Sequence, residues 1–293
     1  MNGGGGIAPA TAASTTSMAD STVLKLEGRD VLDLLHRVTT NRLDDLATGA
    51  ARGTLFCDFR GRLLHRAVVA RLGDTIWLLR DDAPAAPLLT HLDRQIFRED
   101  VRVTDSSGTL AVWSDMDASA SEGSVEGDDA PRMMRAPGDV PLRVGAAVDA
   151  PPASIDAARA RVRSGRPIHG HEIVDAFTPF EVNLAHEVHL DKGCYTGQET
   201  LQRLVTYDSV RRRLAWVGGA GAPPEAPLDL EREGNRVGRL TSAIADGAAW
   251  IGLAIMAWDL ADPAGVTAGG RSLERLEAVP LRRPIGRAWA VAG

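Results

Sequence analysis

Residues 192–199 read Lys-Gly-Cys-Tyr-Thr-Gly-Gln-Glu, and no other stretch constrains the backbone as tightly. Thr196 and Glu199 have the Ser/Thr-x-x-Glu spacing of a capping box, which predicts a helix starting there. Its body runs from Gly197 to about Val205, with Leu201, Leu204 and Val205 on one face at i, i+3, i+4 spacing. Cys194 then lies two residues before the N-cap, near unpaired backbone N–H groups and the positive end of the helix dipole. With Lys192 close by, that setting favours the thiolate, while Glu199 opposes it with negative charge. The other reading makes Cys194 a small buried apolar residue in a tight Gly-flanked turn.

At 293 residues the chain can build two or three domains with real cores. Its 44% hydrophobic and 25% charged content is that of an ordinary soluble globular protein. The formal charge of -6 argues against a surface that coats nucleic acid, although a local basic patch survives that total. No apolar run reaches membrane-spanning length. Residues 1–20 are rich in Gly, Ala, Ser and Thr, with no basic residue before Lys25 and no apolar h-region. They read as a flexible tail, which is neither an ordinary secretory signal nor a transit peptide. The only cysteines, Cys57 and Cys194, lie far apart and imply no disulfide framework, so a reducing cytoplasm fits best. They also cannot supply the full thiolate ligand set of an iron–sulfur cluster. Any such role acts on another protein's cluster or shares ligands across subunits.

Val23–Leu26 reads as a strand and 29–36 as a partly amphipathic helix. Strands follow at 52–59, 63–71 and 75–79, turning at 60–62 and 72–74, which makes a β-meander. Residues 85–97 have the helical spacing Leu88, Leu89, Leu92, Ile96, and strand character returns at 101–103 and 109–113. Residues 114–131 are acidic and rich in Ser, Gly and Asp, and read as a flexible insertion without enough apolar surface to order itself. Residues 154–164 form a helix with Ile155, Ala158 and Val162 inward, ended by Gly165 and Pro167. From Leu214 onward, short strands alternate with Gly/Pro turns as in a small antiparallel barrel.

Several residues invite chemistry. His169, His171, His186, His189, Asp191 and Cys194 are ligand-capable and close in sequence. Neither His-x-His nor His-x-x-His sits on a regular element, so solvated loop histidines are the other reading and no metal is assigned. Arg203, Arg211, Arg212 and Arg213 suit a charged surface, an acidic partner or an anionic tail. Cys57, beside Phe56 on an apolar strand, reads as core.

Taken together, these strings resemble one family. Residues 192–199 resemble the signature of YgfZ-type proteins, relatives of the glycine-cleavage aminomethyltransferase in the folate-binding YgfZ/GcvT superfamily. The likeness covers about residues 22 to 290. Glu27-Gly28-Arg29-Asp30 and Val38-Thr39-Thr40-Asn41 are similar to the family's first helix and its Thr-Asn/Asp turn. Arg161-Val-Arg-Ser-Gly-Arg-Pro167 resembles the segment before the folate-facing loop. Thr178-Pro-Phe-Glu181 with Asn183-Leu184, and Val237-Gly-Arg-Leu-Thr-Ser242, resemble a Pro-x-Glu-x-Asn-Leu string and a Gly-x-x-Thr-Ser turn.

The resemblance implies an α+β fold, a GcvT-like ring of two interleaved αβ subdomains (residues 21–205) followed by a C-terminal antiparallel β-barrel (206–293). It also implies a tetrahydrofolate-binding accessory factor for iron–sulfur protein maturation or repair, with client or assembly proteins as partners. Glu181 and Asn41 would hold the pterin, since a carboxylate accepts two parallel N–H bonds from a 2-amino-4-oxo-pteridine. Tyr195, Gln198 and Glu199 would join the folate site, and Cys194, tuned by Lys192, would be the functional thiol. One departure matters: the family's transferases carry an Asp-Asp pair where this chain has Leu64 and His65. Without a carboxylate, nothing obvious stabilises a developing iminium, which weakens the alternative of a folate-dependent aminomethyltransferase or demethylase. A folate-responsive regulator of RNA modification is the second alternative. Tyr207-Asp208-Ser209 replaces the family's frequent Arg-Gly pair and breaks any carry-over at Asp208.

Overall fold

The computed structural model of the protein describes residues 21–289. The expected tail at 1–20 lies outside them. Three antiparallel sheets and four α-helices make up the described chain.

The predicted meander is present. β1 (Thr22–Glu27), β2 (Ala51–Cys57), β3 (Leu63–Leu72), β4 (Thr75–Arg80) and β5 (Arg102–Asp105) form the first sheet in the order β2-β3-β4-β1-β5. Leu72 pairs with Thr75, so Gly73 and Asp74 make the two-residue hairpin turn that such a register requires. On one face lie α1 (Val31–Val38) and α2 (Ala85–Asp93). α1 buries Val31, Leu34, Leu35 and Val38, one stripe of a 3.6-residue period. α2 ends four residues before the expected Phe97, which is 83% exposed and adds nothing to the buried Leu88 and Leu92 face.

β6 (Leu110–Ser114), β7 (Ser124–Gly127), β8 (Pro131–Arg135) and β9 (Leu142–Ala146) form the second sheet, ordered β6-β9-β8-β7. Here the expectation of a structureless insertion at 114–131 is corrected, because β7 lies inside it. Its Val125 side chain is buried, and its N–H donates to the Gly49 carbonyl at 2.9 Å while Ala51 N–H donates to Gly123 at 2.8 Å. Backbone pairing with a neighbouring sheet orders a segment whose side chains could not order themselves.

α3 (Ile155–Ser164) starts where Ser154 Oγ accepts from Ala157 N–H and stops at the left-handed Gly165, as expected. Its Val162 is buried, but Ile155 is 44% exposed instead of inward. A long irregular path then leads to α4 (Gln198–Thr206). The third sheet follows: β10 (Arg212–Ala220), β11 (Leu228–Arg232), β12 (Asn235–Asp246), β13 (Ala249–Ala257), β14 (Val266–Ala268), β15 (Arg271–Ser272) and β16 (Arg275–Ala278), in the order β15-β14-β11-β12-β13-β10-β16. It curls as a half-barrel. Its two edge strands, β15 and β16, are joined only by Leu273 and Glu274, so the edges lie close together.

Two further expectations change. Residues 237–242 lie within β12 and are not a turn. Thr241 Oγ1 and Ser242 Oγ instead donate to the fully buried Glu172 carboxylate, at 2.5 and 2.7 Å, tying the third sheet to the irregular path. Nor do the first two sheets exchange strands, since each uses one contiguous stretch of chain. The first two sheets pack directly, Val68, Trp77 and Leu79 against Val112, Val125 and Met134, and residues 162–210 join the first sheet to the third. Val162, Phe180, Leu190 and Leu201 pack with Leu55 and Leu63 of the first sheet and with Leu214 and Leu253 of the third in one buried cluster.

Candidate functional site

A cavity of about 390 Å³ opens between the second sheet, the α3 exit and the third sheet. Its apolar wall is Val140, Leu184, Val279 and the half-buried Trp216, whose indole N–H donates to the Val162 carbonyl at 2.8 Å. That bond fixes the ring plane, leaving a flat aromatic surface beside the cavity. Two strings singled out in the sequence reach this wall, Ser164–Pro167 and Asn183–Leu184.

The polar wall is a buried ion network. Arg66 Nε donates to both Glu187 oxygens, at 3.0 and 2.9 Å, and its Nη2 reaches Asp139 at 2.7 Å. Arg166 donates through Nε to Asp139 at 3.0 Å and through Nη1 and Nη2 to the two Asp81 oxygens at 2.9 and 2.7 Å. Burial works against ionising Asp139, but the Arg166 and Arg66 guanidiniums outweigh it and hold its carboxyl well below the usual range. Such a network tolerates burial only because each charge is paired and hydrogen-bonded. Behind it, His169 Nε2 accepts from the Arg66 backbone N–H and Nδ1 lies 2.9 Å from Asp82. Both Asp139 oxygens thus already accept from the chain itself.

At the same wall, His186 Nε2 accepts from Arg282 Nη1 at 3.0 Å, and burial drops the His186 pKa to about 4. Glu122, at the rim, gives one oxygen to Arg135 at 3.2 Å. Its other oxygen has no partner among the described residues.

The octapeptide is elsewhere, and its parts are used differently from their sequence reading. α4 is capped by Gly197, at φ +86°, with no side-chain cap, so the predicted Thr196–Glu199 capping box does not form. A Cβ at Gly197 would lie 2.5 Å from the Asp58 carbonyl oxygen, which means the loop is pressed against the β2–β3 turn. Glu199 is exposed and pairs with Arg203 one turn on, at 2.6 Å. Gln198 Nε2 donates to the Lys192 and Leu190 carbonyls at 3.0 and 3.3 Å.

Lys192 is buried. Its ammonium donates to the carbonyls of His36 and Asn41, the latter at 2.7 Å, and sits 5.0 Å over the Tyr195 ring. It therefore ties the end of α1 to the loop, and burial drops its pKa to about 7. The buried Tyr195 hydroxyl has no hydrogen-bond partner among the described residues, and burial pushes its phenol up. Cys194 is exposed. Cys57 is buried as expected, with its thiol pushed up by burial.

Neither Glu181 nor Asn41 lines the cavity. Glu181 Oε1 accepts from Arg212 at 2.7 Å, while Oε2 accepts from Thr178 N–H at 2.8 Å and Arg62 at 3.4 Å. Glu181 is 7% exposed. Asn41 Nδ2 donates to Gly53 at 2.7 Å and its Oδ1 accepts from Arg42 N–H at 2.9 Å. Both amide and carboxylate are spent on the chain itself.

The ligand-capable histidines are dispersed. His171 faces Thr241 and Ser242, His186 faces Arg282, and His169 faces Asp82. Among the described residues there is no group of three or more His, Cys, Asp or Glu placed to hold a metal ion. His65 also lies away from the cavity, with Nδ1 3.4 Å from Arg80 Nη1 and its ring against Phe56 and His91. Burial, then Arg80, His91 and His169, drop its pKa to about 3.

Sequence reasoning missed Trp216, Glu122, His186 and Arg282 as cavity residues. They come from the second sheet's approach, the Ala185–Glu187 turn, β10 and the chain after β16, with no shared motif.

No family model matches the sequence. A chloroplastic protein of Arabidopsis thaliana that carries a transferase name is 25% identical over 257 residues, 75% of this chain and 59% of its own length. The tRNA-modifying protein YgfZ of Serratia proteamaculans (strain 568) is 35% identical over 96 residues, 28% of this chain and 29% of its own. The chain thus spans less than two thirds of either relative. In the solved aminomethyltransferase T of the Bartonella henselae glycine cleavage system, the backbone matches with a TM-score of 0.67 at 15% identity, covering 90% of this chain and 83% of that one. No helix among the described residues is long and apolar enough to cross a membrane. Sequence similarity to a YgfZ protein and to a plastid relative, on a backbone like that of an aminomethyltransferase, supports a YgfZ/GcvT-like superfamily for this chain.

Proposed function

We propose that the chain binds a reduced folate in the 390 Å³ cavity and acts as an accessory factor for the maturation or repair of iron–sulfur proteins. The cavity carries the reading: its volume falls within the range of about 300–1,000 Å³ typical of small-molecule sites, and it joins a flat aromatic wall to a few polar groups. A pteridine or aminobenzoyl ring would stack on Trp216, and the uncommitted Glu122 oxygen would accept from a ring amino group. Glu181, Asn41, Lys192, Tyr195, Gln198 and Glu199 would serve as scaffold around the octapeptide instead of touching the ring. Residues 21–205 would act as the folate-binding module, with 206–293 closing the cavity.

A non-catalytic role is supported by chemistry. Leu64 and His65 stand where the transferases carry their acid pair, and the buried carboxylate that does line the cavity, Asp139, is held between two guanidiniums. Exposed on its anchored loop, Cys194 would meet a client or assembly protein in a reducing compartment such as the cytoplasm. The name of the Serratia relative favours one second reading, a folate-responsive regulator of RNA modification.

Anaerobic titration of the protein with tetrahydrofolate tests the binding, and wild-type saturation in the micromolar range is expected. Cluster-enzyme activity in a deletion strain tests the role: the wild-type gene should restore it and Cys194→Ala should not. Restored activity with Cys194→Ala removes the thiol from the reading. Unchanged cluster enzymes with altered tRNA modification in the deletion strain would favour the RNA alternative. Turnover of a methyl or aminomethyl donor with tetrahydrofolate would establish the transferase instead.

A further inference from the structure

Four arginines line the cavity, and one of them is bound differently from the rest. Arg66, Arg135 and Arg166 each hold at least one carboxylate. Arg282 holds none. Its Nη1 donates to two neutral acceptors, the Gly138 carbonyl and His186 Nε2. Its Nε and Nη2 have no partner among the described residues. This free Nε–Nη2 edge is the one that meets a carboxylate side-on through two parallel bonds.

The residue is also fixed in place. Its backbone N–H donates to Asn183 Oδ1 at 2.8 Å, and Asn183 Nδ2 donates to the Pro280 carbonyl at 3.0 Å. Asn183 adopts the left-handed region (φ +63°) to make both bonds. Gly138 leaves the space the guanidinium occupies, since a Cβ there would lie 2.8 Å from Arg282 Nη1. A cation held by neutral groups loses little conformational freedom on binding an anion and has no internal counter-ion to displace.

We propose that Arg282 receives a ligand carboxylate at the cavity mouth while the ligand's flat ring lies against Trp216. This rests on the folate reading, under which the carboxylate belongs to the glutamyl tail, and it makes Arg282 the residue that selects glutamylated over tail-less pteroates. The reading places no demand on the octapeptide, so the two can be tested apart.

The test compares tetrahydrofolate with tetrahydropteroate, which has the same ring system and no glutamate, by anaerobic calorimetry on the full chain. Wild type should bind tetrahydrofolate about tenfold tighter, the order expected for one bidentate charge-assisted contact at an exposed rim. Arg282→Gln should bind both ligands equally, at the wild-type Kd for tetrahydropteroate, and Arg282→Lys should recover part of the difference. A thermal melt checks that each variant is folded. Discrimination that survives in Arg282→Gln, or tetrahydropteroate binding lost in both folded variants, overturns the assignment. Equal wild-type affinity for the two ligands overturns it while leaving folate binding intact. Wild type that binds neither ligand overturns the folate reading and this inference with it.

Discussion

The cavity wall and the octapeptide loop contain similar groups used in opposite ways. In the wall, Arg66 and Arg166 face Glu187, Asp139 and Asp81, and every buried charge meets an opposite one. In the loop, the buried Lys192 cation meets only carbonyl dipoles and an aromatic face, and its pKa falls to about 7. Burial of a charge thus leads to ion pairing in one place and to a weakened base in the other. The lesson concerns signatures. The loop is conspicuous in sequence because tight backbone packing demands particular residues, yet only Cys194 and its exposed neighbours are available to another molecule. Only parts of two strings, Ser164–Pro167 and Asn183–Leu184, mark the wall in sequence, yet the wall surrounds the cavity.

The largest predicted effect tests the wall. Arg66→Met leaves Glu187 and Asp139 buried beside one remaining guanidinium, and should cost about 3–5 kcal/mol in a urea titration. A loss under 1 kcal/mol would mean that the network is not a paired unit. Next comes acid. His186 and His65 are neutral in the fold, with pKa values near 4 and 3, but protonate near 6.5 when unfolded. Below pH 6.5 the unfolded chain binds more protons, so stability falls as pH drops toward 4 and then 3. His186 alone should account for on the order of 3 kcal/mol, and His186→Gln should flatten that slope between pH 6.5 and 4.5. An unchanged slope would show that the ring is not buried as described. The smallest effect belongs to the loop. Gly197→Ala forces a Cβ against the Asp58 carbonyl at positive φ and should cost about 1–3 kcal/mol, read by thermal melt. No loss would separate the loop from the β2–β3 turn and remove the packing reason for its glycine.

Much of the fold was legible from the order of residues. The meander, α1, the Ser154 and Gly165 ends of α3, the start of the strand-rich C-terminal part and the buried Cys57 all follow from local patterns of burial and capping. These are properties of one segment, set by periodicity and backbone preference. β7 was hidden, because Val125 gains its place by pairing with β8, by bonding to Gly49 ahead of β2 and by packing on the first sheet. The capping box failed for a related reason: Gly197, pressed on the neighbouring turn, took the N-cap position from Thr196.

For the site, the sequence by itself determined which strings are unusual, and two of them do line the cavity. Tertiary structure alone decided that Glu181 and Asn41 are spent on Arg212, Thr178 and Gly53, and that Arg282 brings a free edge to the cavity that Trp216 also lines. The physical reason is saturation. Whether a polar group can bind something else depends on which partners already fill its lone pairs and protons, and the partners that decide it, such as Arg212 for Glu181, can lie tens of residues away in the chain.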